Sequence, residues 1–264
     1  MIDDSLRLVF ANQWLVIILV TLLLLAASEI GFRMGLRLYR TKDEPRKAQI
    51  SGVQSAVLAL LGLLLAFTFS MSAGRFEKRR ELAIAETNAI GTTFLRASFL
   101  PAENQATVEN LLRRYVDVCI DAHNATTNEA RASLGAEMGR IQRELWSNAV
   151  AAGKQFPSPI TTSFINSLNE TIDLDAARIN ALRARVPGPV WLLLLIVACA
   201  GCYACGYGTG ATGTRTTIAN ILLPLLIAVV ITLIADLDRP HHGLIGTSQE
   251  PLLDLKASLS KTNQ

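Results

Sequence analysis

An apolar run from Val53 to Ala73 passes, with no proline to interrupt it, into the basic sequence Gly-Arg-Phe-Glu-Lys-Arg-Arg at Gly74 to Arg80. About 20 apolar residues in helical form cross the hydrocarbon core of a bilayer. Lipid offers the backbone no hydrogen-bond partner, so such a run has to be a helix. The polar residues beyond it are helix formers, and the expected element is one helix that leaves the membrane and keeps going. Three more runs of similar length, Trp14 to Phe32, Pro189 to Tyr207 and Thr217 to Ala235, give four spans in all. A chain that is half hydrophobic with positive mean hydropathy is not an ordinary soluble domain. The first run follows an acidic stretch, Asp3 and Asp4, and is long for a cleaved leader, so it is read as a retained span. Of the cysteines, Cys199, Cys202 and Cys205 lie inside a predicted span and Cys119 outside, which is no disulfide framework.

Between the second and third spans lies a polar segment broken at Pro101, at Asn124 to Asn128 and at Phe156-Pro157-Ser158-Pro159. The breaks predict four helices. Val108, Leu111, Leu112, Tyr115, Val116 and Cys119 recur at i, i+3, i+4, i+7 spacing, as do Leu134, Met138, Ile141 and Leu145, and Ile165, Leu168, Ile172 and Ile179. Each helix therefore has one apolar face to bury. Ser158 before Pro159 predicts an N-cap with proline at the first helical position. The expected fold is an all-α integral membrane protein with four transmembrane helices and a helical extramembrane domain inserted between the second and third. Its parts are a membrane hairpin over 1–74 (spans 14–32 and 53–73), a helical domain over 75–187, a second hairpin over 188–236 (spans 189–207 and 217–235) and a tail over 237–264.

Loop charge sets the orientation of such a chain. The loop Arg33 to Lys47 with Arg215 carries seven Lys/Arg; Arg7, Arg75, Lys78, Arg79, Arg80, Arg178, Arg183, Arg185 and Arg239 make nine on the opposite side. The majority places both termini and the central domain in the cytosol.

Polar residues near the spans supply the candidate sites. Glu29 and Arg33, four apart, read as an intrahelical pair near the interface. Leu63, Phe67, Ser70 and Gly74 share one face of the second span. That stripe suits helix packing or a pore wall in which large apolar side chains gate by dewetting. Asp236, Asp238, Arg239 and Pro240 close the last span, followed by His241 and His242. Adjacent histidines point different ways and no third ligand is spaced for a metal, so an Asp–Arg pair that orders the exit from the membrane is the reading, with no metal and no cofactor. The segment Ile245 to Leu255 is expected as an extended stretch or short helix returning along the central domain.

Three look-alikes are set aside. Cys199-x-x-Cys202-x-x-Cys205 lacks the fourth cysteine and proline of an iron–sulfur run. Gly206-Tyr207-Gly208 lacks a potassium filter's preceding Thr-Val, and the glycine-rich run to Gly213 ends in Thr214-Arg215 instead of a phosphate loop's Lys-Ser/Thr. Small residues for helix packing and a flexible connection account for them. No catalytic constellation is present, and an enzyme is not expected. Nothing points to nucleic acid.

The stretch from Ala56 to Arg96 resembles the second membrane helix and following cytosolic helix of bestrophins, particularly bacterial bestrophin-like membrane proteins. There an apolar span meets Arg-Phe/Trp-x-x-x-Arg, positions held here by Arg75, Phe76 and Arg79 or Arg80. The sequence Asp236-Leu-Asp-Arg-Pro, with Gly243 and Pro251 to Leu255 beyond, is similar to the segment after the last bestrophin span. The resemblance implies an ion channel in a bacterial inner membrane, a homo-oligomer on the pattern of the pentameric bestrophins, passing inorganic ions and anions such as chloride foremost. It also places Ala59, Leu63 and Phe67 at the neck, where Ala59 is smaller than the pattern expects. Phe69 and Ala73 replace the family's frequent asparagine and tyrosine, and no acidic run marks a calcium clasp. The competing function is a non-conducting membrane scaffold or sensor whose helical domain binds a partner.

Overall fold

The computed structural model describes residues 13–39, 44–213, 217–239, 246 and 248–261. Among them every regular element is helical: α1 Gln13–Tyr39, α2 Glu44–Ala97, α3 Ala102–Asn124, α4 Asn128–Gln155, α5 Pro159–Arg183, α6 Gly188–Ala211, α7 Thr217–Asp238 and α8 Glu250–Lys261. Four helical segments are long and apolar enough to cross a membrane, in Trp14–Arg37, Gln49–Ala97, Pro159–Ala211 and Asn220–Asp238. The chain divides into two compact units, Met1–Phe76 with Ala184–Gly246, and Glu77–Arg183 with Thr247–Gln264. The division falls inside the unbroken α2.

In the first unit α1 packs most extensively against α6 and next against α7. Glycine makes the first contact possible. A Cβ on Gly206 would collide with the Ser28 carbonyl, one on Gly210 with that of Phe32, and ones on Gly31 and Gly35 with those of Tyr203 and Tyr207. Two small-xxx-small ladders thus let the two backbones touch, which replaces the hydrophobic driving force that helices lack in lipid. The structure corrects the reading of the glycine-rich run as a flexible connection. As far as Ala211 it is helix, and its glycines are the packing surface. Only Gly213, at φ 71°, uses the left-handed conformation that glycine tolerates. Leu24, Leu61, Leu194, Ala198, Cys202, Ile227 and Ala228 fill the core of this unit.

The second unit is a helix bundle. Its core holds Ile90, Phe94 and Ala97 of α2, Val108, Leu112, Tyr115 and Val116 of α3, Met138, Ile141 and Leu145 of α4, and Phe164 and Leu168 of α5. These are largely the faces that periodicity predicts. Burying each large apolar side chain contributes roughly 1.5–3 kcal/mol. Local chemistry sets the breaks: the Thr127 hydroxyl accepts the Ala130 N–H at 3.1 Å, and Ser158 Oγ accepts the Thr161 N–H at 3.1 Å, as its predicted capping role requires. The tail returns as α8, which seats Leu259 in the same core and joins Lys256 to Asp117 at 2.6 Å.

Candidate functional site

Helix α2 has two contrasting faces. Leu61, Thr68 and Ser72 are buried on one of them, with Gln54, Val57, Leu64 and Leu65 half-buried beside them. At about 100° per residue these lie within roughly 60° of a single line. Ala59, Leu63, Phe67, Ser70 and Gly74 cluster on the opposite side. All five are exposed; Leu63 keeps 53% and Phe67 63% of its surface, and a Cβ on Gly74 would meet nothing within 4 Å. In this protomer the stripe is therefore not the helix-packing face. Large apolar side chains this exposed lie against either lipid or another copy of the chain.

Midway along the same helix Arg75 lies 3.6 Å from Asp238. The Asp238 carboxylate also accepts the Val186 backbone N–H, at 3.0 and 3.2 Å to its two oxygens. One buried acid thereby ties together the middle of α2, the end of α7 and the segment before α6, and it satisfies the backbone amide of Val186. Asp238 thus takes Arg75 as a partner, a pairing with a residue distant in sequence. Asp236 is buried, Arg239 and Phe76 are half-buried, and Pro240, His241, His242 and Gly243 lie outside the described residues. In the second unit Arg79 is buried, whereas Arg80 is exposed and 3.8 Å from Glu77. Glu29 and Arg33 form the expected pair at 2.9 Å.

A further cluster escaped the sequence reading. Glu86 on α2 contacts Arg178 on α5, and Arg178 also binds Asp175 at 2.8 Å. Gln142 of α4 donates to Asp175 Oδ2 at 2.8 Å and to the Tyr115 hydroxyl at 3.1 Å, and Tyr115 reaches Glu86 at 3.5 Å. Two buried carboxylates face one guanidinium, a surplus of negative charge in a medium that solvates it poorly. Burial is the main cause that lifts Glu86 from 4.5 to about 7, against the pull of Arg178. Burial likewise raises Tyr115 and Cys119 well above their ordinary values. The only sequence trace of this cluster is the i, i+3 spacing of Asp175 and Arg178. Among the described residues, no group of three or more His, Cys, Asp or Glu is placed to hold a metal ion.

Residues 14–252, nearly the whole chain, match the bestrophin-like domain. The chain belongs to the bestrophin-like family. Its fold is similar to crystal structures of variants of a bacterial bestrophin homologue from Klebsiella pneumoniae. One superposes with a TM-score of 0.70 at 17% identity, covering 94% of this chain and 99% of that one. Another gives 0.67 at 15% identity, covering 93% and 96%. A crystal structure described as a membrane protein gives 0.64 at 17% identity over 93% and 96%. Identities this low carry the fold alone. No curated protein sequence matches the chain.

Proposed function

We propose that this chain is the subunit of a homo-oligomeric ion channel in a bacterial inner membrane, built as a bestrophin pentamer is built. Copies of α2 stand around the pore axis, and Leu63 and Phe67 form a hydrophobic constriction with Ala59 as a wider rung. Ser70 and Gly74 line the pore beyond it. The helical domain is inserted between the second and third spans and faces the cytosol with both termini. The observation that carries this reading is the exposed stripe on α2, set opposite the face by which α2 packs on its own protomer.

The constriction offers no polar ligand to replace an ion's water, so permeation favours ions that shed hydration easily. Chloride is the favoured ion by the likeness to the bestrophins. The stripe from Ala59 to Gly74 contains no charged residue that would reverse this preference.

Chloride and sodium flux from liposomes containing the purified protein, beside empty vesicles, tests the proposal. Chloride flux that rises in Leu63→Ala supports it. A well-folded protein that passes neither ion, in the parent and in Leu63→Ala alike, refutes it and favours the non-conducting scaffold.

A further inference from the structure

Within the second unit α2 and α5 meet along a polar seam. At one end the Glu86 carboxylate contacts the Arg178 guanidinium. Farther along, the Thr93 hydroxyl lies 2.9 Å from that of Thr171, and beyond it Arg96 donates to the Ser163 carbonyl at 3.0 Å. Glu86 to Thr93 and Arg178 to Thr171 are both seven residues, about two helical turns, so these contacts succeed one another on one face of each helix. The two halves of α5 are held differently. Phe164 and Leu168 anchor the first half in the apolar core, whereas no apolar side chain from Thr171 to Arg183 is buried. What is buried there is Thr171 and Asp175, and Asp175 binds the same guanidinium as Glu86. Tyr115 and Cys119 of α3 and Gln142 of α4 face this end. His123 of α3 also senses Arg178. Arg79, seven residues before Glu86 on α2, is buried with interactions of its own, and Lys256 of α8 is turned to Asp117.

We infer that Glu86, Asp175 and Arg178 form a proton-operated latch: while the two carboxylates hold one proton between them the second half of α5 is fastened to α2, and loss of that proton to solvent lets this half open. Two charged carboxylates beside one guanidinium leave a net negative charge in an interior that solvates it poorly, and opening brings water to it. The rest of the seam permits the movement. Thr93 and Thr171 each have an acceptor in their own helix, the Ala89 and Ser167 carbonyls at 2.8 and 3.0 Å, so parting them strands neither hydroxyl. With no buried apolar side chain in this half, the polar contacts decide whether it stays docked. Burial keeps the proton on Glu86 up to about pH 7 in the closed form, and an opened carboxyl returns toward 4.5. Opening is therefore favoured progressively as pH rises between these values and levels off above them. His123, whose pKa is lowered, acts in the opposite sense and does not produce this trend. The latch belongs to the second unit alone and does not rest on ion conduction.

Hydrogen exchange of the full-length protein in detergent, followed peptide by peptide well below the thermal midpoint and corrected for the intrinsic effect of pH, tests it. A helix released from its tertiary contacts frays, so local opening is visible in its amides. Protection over residues 171–183 should fall by up to about tenfold per pH unit between pH 5 and 7 and level off above, while α3, α4 and the first half of α5 keep theirs. Glu86→Gln should flatten the curve. Asp175→Asn should move its levelling-off to lower pH, because Glu86 then has Arg178 to itself. An unchanged elution profile and helical signal establish that the variants are folded, and if the first is not, the second decides. A simple loss of packing would raise exchange equally at every pH. Flat protection over 171–183 in the parent, a fall shared equally by α3 and α4, a slope that survives in folded Glu86→Gln, or an unmoved curve in Asp175→Asn would each overturn the inference.

Discussion

Deprotonation of the buried Glu86 makes the stability of the second unit fall as pH rises. In the unfolded chain this carboxyl titrates near 4.5, and in the fold near 7, because burial outweighs the attraction of Arg178. The folded state therefore binds more protons between those limits, and the stabilisation present below pH 4.5 is lost progressively up to about pH 7. At about 1.4 kcal/mol for each tenfold change in an equilibrium constant, the interval amounts to about 3 kcal/mol, or an unfolding midpoint lower by about 10 °C for a unit of this size. His123 acts in the opposite direction. Burial and then Arg178 lower its pKa, so its contribution grows as pH rises through the histidine range. The comparison must therefore be differential. Glu86→Gln keeps a neutral amide in contact with Arg178, leaves Asp175 as the single counter-charge and removes the titration. Thermal unfolding of the full-length protein in detergent between pH 5 and 8, resolved for the second unit by hydrogen exchange of α3 to α5, should show the downward slope in the parent and its loss in Glu86→Gln. Identical slopes in the two proteins would refute the charge-surplus reasoning.

Phe67→Ala should raise ion flux as Leu63→Ala does, by removing the ring that narrows the constriction, and liposome flux assays check it. Asp238→Ala should destabilise the first unit by about 2 kcal/mol or more, because it strands the Val186 N–H and the Arg75 guanidinium together; loss of monodisperse protein in detergent reports this, with Asp238→Asn less affected. Gly206→Val should cost about 1–3 kcal/mol by driving a side chain into the Ser28 carbonyl, read as a lowered thermal midpoint. Gly135→Ala, in an open position on α4, should instead raise stability by up to about 1 kcal/mol through helix propensity.

Elements held by local or periodic signals were legible in the chain. Apolar run length announces the spans, and the i, i+3, i+4 faces around Leu112, Ile141 and Leu168 mark the bundle core. The Ser158 cap follows from its neighbour Pro159. What depends on distant partners was not legible. Gly206 and Gly210 read as loop residues because glycine usually weakens helices, yet against α1 they are what allows backbones to meet. Asp238 pairs with Arg75, far away in sequence. Arg79 and Arg178 were counted as loop charges for orientation, although one is buried and the other is locked to Glu86 and Asp175. The face of α2 holding Leu63 and Phe67 could be named from helical spacing; that it lies opposite the packed face required coordinates.

The central claim is that Leu63 faces a conducting pore, and a thiol placed there reports it most directly. Chloride flux through liposomes containing Leu63→Cys should be blocked by a bulky, membrane-impermeant thiol reagent. The parent protein, which retains Cys119, Cys199, Cys202 and Cys205, should be unaffected under the same treatment. Efficient labelling at position 63 with undiminished flux would contradict the account.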